Sequence, residues 1–363
     1  MKILLRTLLL VLLCIGFLFF MHRLGFLRTD DIVSAFETRP LTLLMIAGVQ
    51  LLTAFVMMIR YSALLGVLGI TAPLRQVSSA TFVSTAVGQW APGSLAVVEV
   101  LRVGLMLGSQ SATPKERGDS GRMAGIKARL AIASFADRLI GFLGILVLGF
   151  IFSAYLFFQT VPPDGQREFL KGPGILLLSS GIGSFLLLTT PFLVRLGLLR
   201  NLERRWKVHG PAAQALSGRW RNLFLRHFET LRHDVDAASR HPRRLLVPLL
   251  ISMSSLLLTS LSLYLSALAI GESLSFLQIV CAYPLIALSA LLPLGFAGIG
   301  GYQLIMASIF SIFAVSPALV ASAGVLQSAV LLLVNTAVGL LYAHISSGQI
   351  RAIFNRRAPA QTV

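Results

Sequence analysis

The stretch QWAPGSLAVVEVLRVGLML, residues 89–107, decides how this chain is read. It lies in an apolar region, yet Pro92-Gly93 breaks any helix through it and two ionised side chains, Glu99 and Arg102, follow the break. Proline removes a backbone donor and clashes with the preceding turn, so a helix stops there and a second begins near Ser94. The arms on either side, within 74–108, run about 14–16 residues, or about 21–24 Å of helix. A hydrocarbon core is about 30 Å thick. Each arm is short for a span, and the pair reads as a re-entrant helix hairpin or as two short tilted helices. Residues 276–315 repeat the pattern around LPLGFAGIGGYQ, with Pro293, Gly295, Gly298, Gly300 and Gly301 at the break.

Around these breaks the chain is 56% hydrophobic and 12% charged, with mean hydropathy +0.82. Soluble domains carry about 25% charged residues. Uninterrupted leucine-rich runs at Ile3–Met21, Leu41–Tyr61, Leu130–Phe158, Ile175–Leu198, Leu245–Ile270 and Ala318–His344 are each long enough to cross a bilayer. Backbone groups in lipid must be satisfied within the segment, so these runs are helices; alternating barrel strands do not fit them. The expected fold is all-α, a polytopic membrane protein with six full spans and two re-entrant or broken hairpins.

Lysine and arginine set the orientation. With the N-terminus in the cytoplasm and each hairpin returning to its own side, 24 of the 31 basic residues fall inside and five outside, with Arg102 and Arg138 left in the membrane. This tally assigns Arg60 and Arg75 to a cytoplasmic segment. The bias follows the positive-inside rule and puts both termini in the cytoplasm of a bacterial inner membrane. It also explains a net charge of +17 without nucleic acid, since basic loops meet anionic headgroups. Lys2 and Arg6 precede the first apolar run, which lacks a small-residue cleavage site and reads as a retained helix.

Each half then reads span, span, hairpin, span, with the two hairpins entering from opposite faces. The halves are residues 1–171 and 172–350, followed by a short cytoplasmic tail, 351–363. Inverted halves with interrupted helices at corresponding places point to a transporter with a midplane site. The competing reading is that Pro and Gly only allow close helix packing. The basic loop 200–244 carries Leu216, Trp220, Leu223, Phe224, Phe228, Leu231 and Val235 at helical spacing. That face suits either the inner leaflet or the transmembrane bundle.

Four ionised residues fall inside the apolar segments: Glu99, Arg102, Asp137 and Arg138. A charge at the bilayer centre costs at least about 2.5–3.5 kcal/mol, so such residues find partners or line a wet cavity. Two acids and two bases can cancel as a structural network. The functional reading gives Arg102 and Arg138 to an anionic headgroup such as a phosphate, with Glu99 and Asp137 orienting them. Amides near Pro92, Gly93 and Ser94, at a helix start, add positive dipole. In the second hairpin Gly298 and Gly300 leave backbone groups open at depth, and Tyr302 and Gln303 add hydrogen-bonding side chains.

No catalytic or phosphate-loop motif occurs, and no metal or cofactor is expected. Cys14 and Cys281 both lie in apolar runs and read as small buried hydrophobes.

The run at 89–107, FADRLIGFLGILVLG at 135–149, LPLGFAGIGGYQLIMASIF at 292–310 and VSPALVASAGVLQSAVLLLVNTAVGLL at 315–341 together resemble the flippase-like transmembrane domain of lysylphosphatidylglycerol synthases, found also as stand-alone membrane proteins. The resemblance covers nearly the whole chain. It implies translocation of a lipid with a polar headgroup across the inner membrane, and points to Pro92, Gly93, Glu99, Arg102, Asp137, Arg138, Gly298 and Gly300. The chain departs from that pattern at Tyr302-Gln303, where the family often has Arg-Glu, and at Ala297, the first of its paired glycines. No soluble aminoacyl-transferase domain is read here, so no synthase activity is implied. The expected function is movement of an anionic phospholipid or polyprenyl-linked sugar lipid, with the membrane lipids themselves as partners. The alternatives are a non-transporting scaffold or accessory subunit of an envelope-lipid pathway, and an intramembrane enzyme acting on a lipid phosphate.

Overall fold

The computed structural model describes residues 27–90, 94–110, 120–160, 242–272, 274–289, 295–296, 299–313 and 315–346, with a few single positions elsewhere. The first and fourth runs, the amphipathic segment of the basic loop, the tail, Cys14, Pro92, Gly93, Pro293, Ala297 and Gly298 lie outside the described residues. So does the side chain of Ser94.

The described chain is helical apart from one tiny ladder. Helices α1 (Thr29–Thr38), α2 (Pro40–Val67), α3 (Leu74–Gln89), α4 (Ser94–Gln110) and α5 (Ser120–Thr160) belong to the N-terminal side. Helices α6 (Pro242–Ala269), α7 (Phe276–Ser289), α8 (Gly301–Phe310) and α9 (Pro317–Ile345) follow. Among the described residues four helices are long and apolar enough to cross a membrane: α2, α5 over Arg129–Phe152, α6 over Arg244–Ala269, and α9. This is a membrane protein. Proline opens both α2 and α9 at their first turns, where its missing donor costs nothing. Pro248 in α6 and Pro284 in α7 lie within helices, as membrane bundles tolerate.

The break in residues 89–107 falls where proline and glycine put it. The two arms, α3 and α4, are 16 and 17 residues long and run antiparallel. Gln76, early in α3, donates to the carbonyl of Met106, late in α4 (2.9 Å), while Gly88, at the end of α3, abuts Val98 near the start of α4. Helix α3 is only mildly apolar, and ten of its residues are buried, several of them Ser, Thr or Gln. It is walled in by α4 and by α9, which runs antiparallel to it. Arg75 reaches the carbonyl of Ile345 (3.0 Å) and Gln89 that of Leu332 (3.2 Å). Gly339 makes this approach possible, because a Cβ there would overlap Ala86. Helices α2 and α6 also run antiparallel, pinned by Gln50 to Ser262 (2.6 Å) and Arg60 to Ser252 (3.3 Å).

The second break differs. Between α7 and α8, β1 (Gly295–Phe296) pairs antiparallel with β2 (Ile299–Gly300), Gly295 opposite Gly300 and Phe296 opposite Ile299. Backbone groups expected to stand open at this glycine-rich turn partly satisfy one another, because a two-residue ladder supplies donors and acceptors without side-chain help. Cys281 is buried in α7.

Buried apolar side chains form two principal clusters. One joins α2, α3, α4 and α5 through Met58, Tyr61, Leu65, Val77, Phe82, Met106 and Leu130. The other joins α1, α2, α6, α7, α8 and α9 through Ile46, Leu263, Ile279, Met306, Phe310 and Leu326. The leucines and valines left exposed on α2, α6 and α9 belong to a surface solvated by lipid.

Candidate functional site

The charged residues of α4 and α5 converge, and a fifth joins them. Arg60, on α2, donates from Nε to Asp137 Oδ1 (2.8 Å) and from a terminal nitrogen to Oδ2 (3.0 Å). It is 4% exposed. The assignment of Arg60 to a cytoplasmic segment is therefore corrected. Helix α2 continues to Val67 rather than ending at Tyr61, so Arg60 lies about two turns inside the helix. Its guanidinium packs closely against Gly141. A Cβ there would lie 3.1 Å from a terminal nitrogen of Arg60. Ser252 of α6 accepts from the same guanidinium and donates on to the Gly141 carbonyl (3.2 Å).

Arg102 is held more loosely. One terminal nitrogen reaches Glu99 and Asp137, both at 3.4 Å. These contacts are long for charge-assisted bonds, which close to about 2.7–2.9 Å. Arg102 Nε has no hydrogen-bond partner although the residue is 5% exposed. Its guanidinium stacks 4.7 Å from the ring centre of Tyr61, whose hydroxyl pairs with Ser134 (3.5 Å). Arg138 donates to Glu99 from Nε (2.7 Å) and sits 2.6 Å away through a second nitrogen. It is the more open of the two, with 29% of its side chain exposed.

Two consequences follow from Arg60. The network holds three guanidiniums against two carboxylates, so it is not neutral, as the four residues recognised in the sequence would be; it carries one excess positive charge. And Asp137 already accepts from Arg60 through both oxygens, so its longer contact with Arg102 is the weaker one.

The network forms one end of a cavity of about 280 Å³, at the lower edge of the usual range for small-ligand sites. Arg60, Arg102, Asp137 and Arg138 line it, together with Gln50, Thr53, Thr81, Thr85, Gln89, Ser328 and Asn335 and apolar side chains including Phe82, Val98 and Leu332. Thr81 Oγ1, like Arg102 Nε, is buried without a partner. Unpaired buried polar atoms are costly, and here both belong to residues on the wall of one cavity.

The other expected site residues are elsewhere. Gly300 is held in the β-ladder. Tyr302 hydrogen-bonds Tyr283, which also bonds Thr259. Gln303 is fully buried and donates to Ser328 (3.1 Å), a residue of the cavity wall. Neither Tyr302 nor Gln303 lines the cavity. Among the described residues no three of His, Cys, Asp and Glu gather as a metal site. Arg60, Ser252, Gln89 and Asn335 were not singled out from sequence. Arg60 had a signal: the apolar run resumes after it as Ala63-Leu64-Leu65, which puts the charge inside a helix.

The family model described as the lysylphosphatidylglycerol synthase TM region matches residues 3–339. Comparisons with curated proteins and with solved structures found no match.

Proposed function

Because the chain belongs to the family of the lysylphosphatidylglycerol synthase TM region, we propose that it carries a lipid with an anionic headgroup across a bacterial inner membrane. The observation that carries this reading is the excess guanidinium charge on the cavity wall, with Arg102 only partly paired. A structural ion network is best when every donor is used and the charges cancel, since each buried ion forfeits several kcal/mol of hydration. Here a tight pair, Arg60–Asp137, fixes the geometry, while Arg102 and Arg138 keep capacity for a phosphate oxygen. Glu99 orients both.

In this reading the two hairpins enter from opposite faces of two inverted halves, with both termini in the cytoplasm. The charge distribution along the sequence supports that orientation. The headgroup occupies the cavity while its acyl chains stay in lipid, and exposure alternates between the two faces. No bond is made or broken, so this is a carrier rather than an enzyme.

Reconstituted vesicles with a headgroup-labelled anionic lipid test it. Wild type moves the lipid between leaflets, and Arg102→Ala slows it at least about tenfold while the detergent-solubilised protein stays monodisperse. Equal rates in wild type and protein-free vesicles, across several anionic lipids, would instead leave a scaffold. A change in the mass of the lipid would make it an enzyme.

A further inference from the structure

Helix α1, Thr29–Thr38, is unlike the rest of the bundle. Its ten residues make about 15 Å of helix, against a bilayer core of about 30 Å. It is also the most amphipathic of the described helices. Successive residues turn by about 100°, which sorts its side chains into three sectors. Ile32 and Ala35 face the bundle: Ala35 is 1% exposed, and both belong to the apolar cluster shared by α2, α6, α7, α8 and α9. Phe36 and Val33 come next around the helix, and they are 47% and 57% exposed. Glu37, Asp30 and Ser34 follow on the far side, all exposed.

Both ends of α1 are tied down. The Arg28 amide, just before it, donates to the Ser322 hydroxyl near the start of α9 (2.8 Å), and the Arg28 guanidinium reaches Glu272, beyond the end of α6 (3.3 Å). Arg39, just after it, donates to the carbonyl of Leu268 in the last turn of α6. The helix is therefore laid at one end of the bundle, where α6 stops and α9 starts. Its apolar flank is not an isolated patch. The chain leads from Phe36 through Pro40 into Leu41, Leu44 and Met45, which are exposed on α2, a helix long and apolar enough to span the membrane.

We infer that α1 is an interfacial helix seated in the headgroup layer. Val33 and Phe36 insert among the first methylenes of the acyl chains, and Glu37, Asp30 and Ser34 stand in water. Bundle, lipid and water each take one sector. The partner is the lipid surface, and the attachment is hydrophobic alone. Interfacial helices that grip anionic lipid carry Lys or Arg on the polar face. Within α1 the charged residues are Asp30, Asp31 and Glu37, and none is basic. Contact with lipid here sets the height at which the ends of α6 and α9 stand in the bilayer, whether or not the chain carries a cargo.

Spin labelling of the purified full chain in vesicles tests this. In a background of Cys14→Ala and Cys281→Ala, a nitroxide is attached at one position at a time through Val33→Cys, Phe36→Cys, Ser34→Cys, Glu37→Cys or, as a reference deeper in lipid, Leu44→Cys. Collisions with oxygen, which concentrates in lipid, are compared with collisions with a nickel chelate confined to water. Labels at Val33 and Phe36 should favour oxygen, at a depth of about 5–10 Å into the boundary between headgroups and acyl chains and shallower than the label at Leu44, while those at Ser34 and Glu37 favour nickel. The depths should be the same in phosphatidylcholine alone and with phosphatidylglycerol added. Nickel prevailing at Val33 and Phe36 overturns the inference, since that flank then faces water. Poor access for both reagents overturns it too, since a protein partner or a second copy then covers the flank. Insertion seen only with phosphatidylglycerol present makes the attachment electrostatic and overturns it as well. Two labels report on the same flank, so loss of one variant leaves the other to decide.

Discussion

The α3–α4 hairpin and the α7–α8 hairpin interrupt apolar sequence in the same manner, yet they treat buried polarity in opposite ways. The first places Glu99 and Arg102 against α5 and leaves a guanidinium nitrogen unpaired beside a cavity. The second places no ionised side chain among its described residues. It closes its turn with a β-ladder, ties Tyr302 to Tyr283 and buries Gln303 against Ser328. Both devices satisfy a broken helix in an apolar setting. Among the described residues, only the first leaves an unpaired side-chain donor beside a cavity. The difference teaches that a helix break is not itself a site. What marks a site is polarity left over after the break has been repaired.

The largest effect should come from the tight pair. Asp137→Ala leaves Arg60 buried without its acid and Arg102 with Glu99 alone, and breaking a buried pair in this way costs about 3–5 kcal/mol. Thermal unfolding in detergent should show a large drop, or the variant should fail to purify as a single species. Asp137→Ala as stable as wild type would mean that water reaches these arginines freely, and the contrast between the hairpins would lose its basis.

A smaller loss tests how the first hairpin is clamped. Gly339→Leu inserts a side chain where α9 meets Ala86 and the Phe82 carbonyl of α3. Overpacking of this kind typically costs about 1–3 kcal/mol. It should also pry Asn335 away from Gln89. Binding of anionic lipid should therefore weaken together with melting temperature, because both residues line the cavity. A lower melting temperature with lipid binding intact would show that the cavity does not depend on this contact.

Glu99→Gln sharpens the comparison from the other side. It keeps the shape and removes one carboxylate, so the network gains a second excess positive charge. Charge-assisted bonds to Arg138 and Arg102 weaken, at a cost of about 1.5–3 kcal/mol at most for groups that are partly exposed. Anionic lipid should bind more tightly and cross more slowly, since a carrier must also release its cargo. Weaker binding would assign Glu99 a direct part in holding the headgroup.

Much of the first hairpin was legible in the sequence, because a proline break and a charge in an apolar run are both expensive and so cannot be incidental. Glu99, Arg102, Asp137 and Arg138 stood out for that reason, and the structure brings all four together. Arg60 did not stand out. It lies near the end of a run read as stopping at Tyr61, where an arginine normally snorkels to the cytoplasmic interface. Three-dimensional pairing, not local composition, pulls it inward. Gln50, Gln89 and Asn335 were silent for another reason. Neutral amides are ordinary in membrane helices, and only their convergence on one cavity distinguishes them. Tyr302 and Gln303 were conspicuous for their place after a glycine-rich turn. Position along the chain did not reveal that they face other side chains of the bundle rather than the cavity.

The smallest effect should come from that second hairpin. Tyr302→Phe removes the hydroxyl that meets Tyr283, while Tyr283 keeps its bond to Thr259. The ring stays, so packing among α7, α8 and α9 is preserved. The net loss is that of one neutral hydrogen bond, about 1 kcal/mol. Thermal unfolding should register a shift of a few degrees, while the rate of anionic-lipid movement in reconstituted vesicles stays at its wild-type value. A stability change this small accompanied by a loss of lipid movement of about tenfold or more would break the comparison. It would mean that the neutral hairpin rearranges during transport, and that the bond between the two tyrosines holds one of its alternative positions rather than merely filling the core.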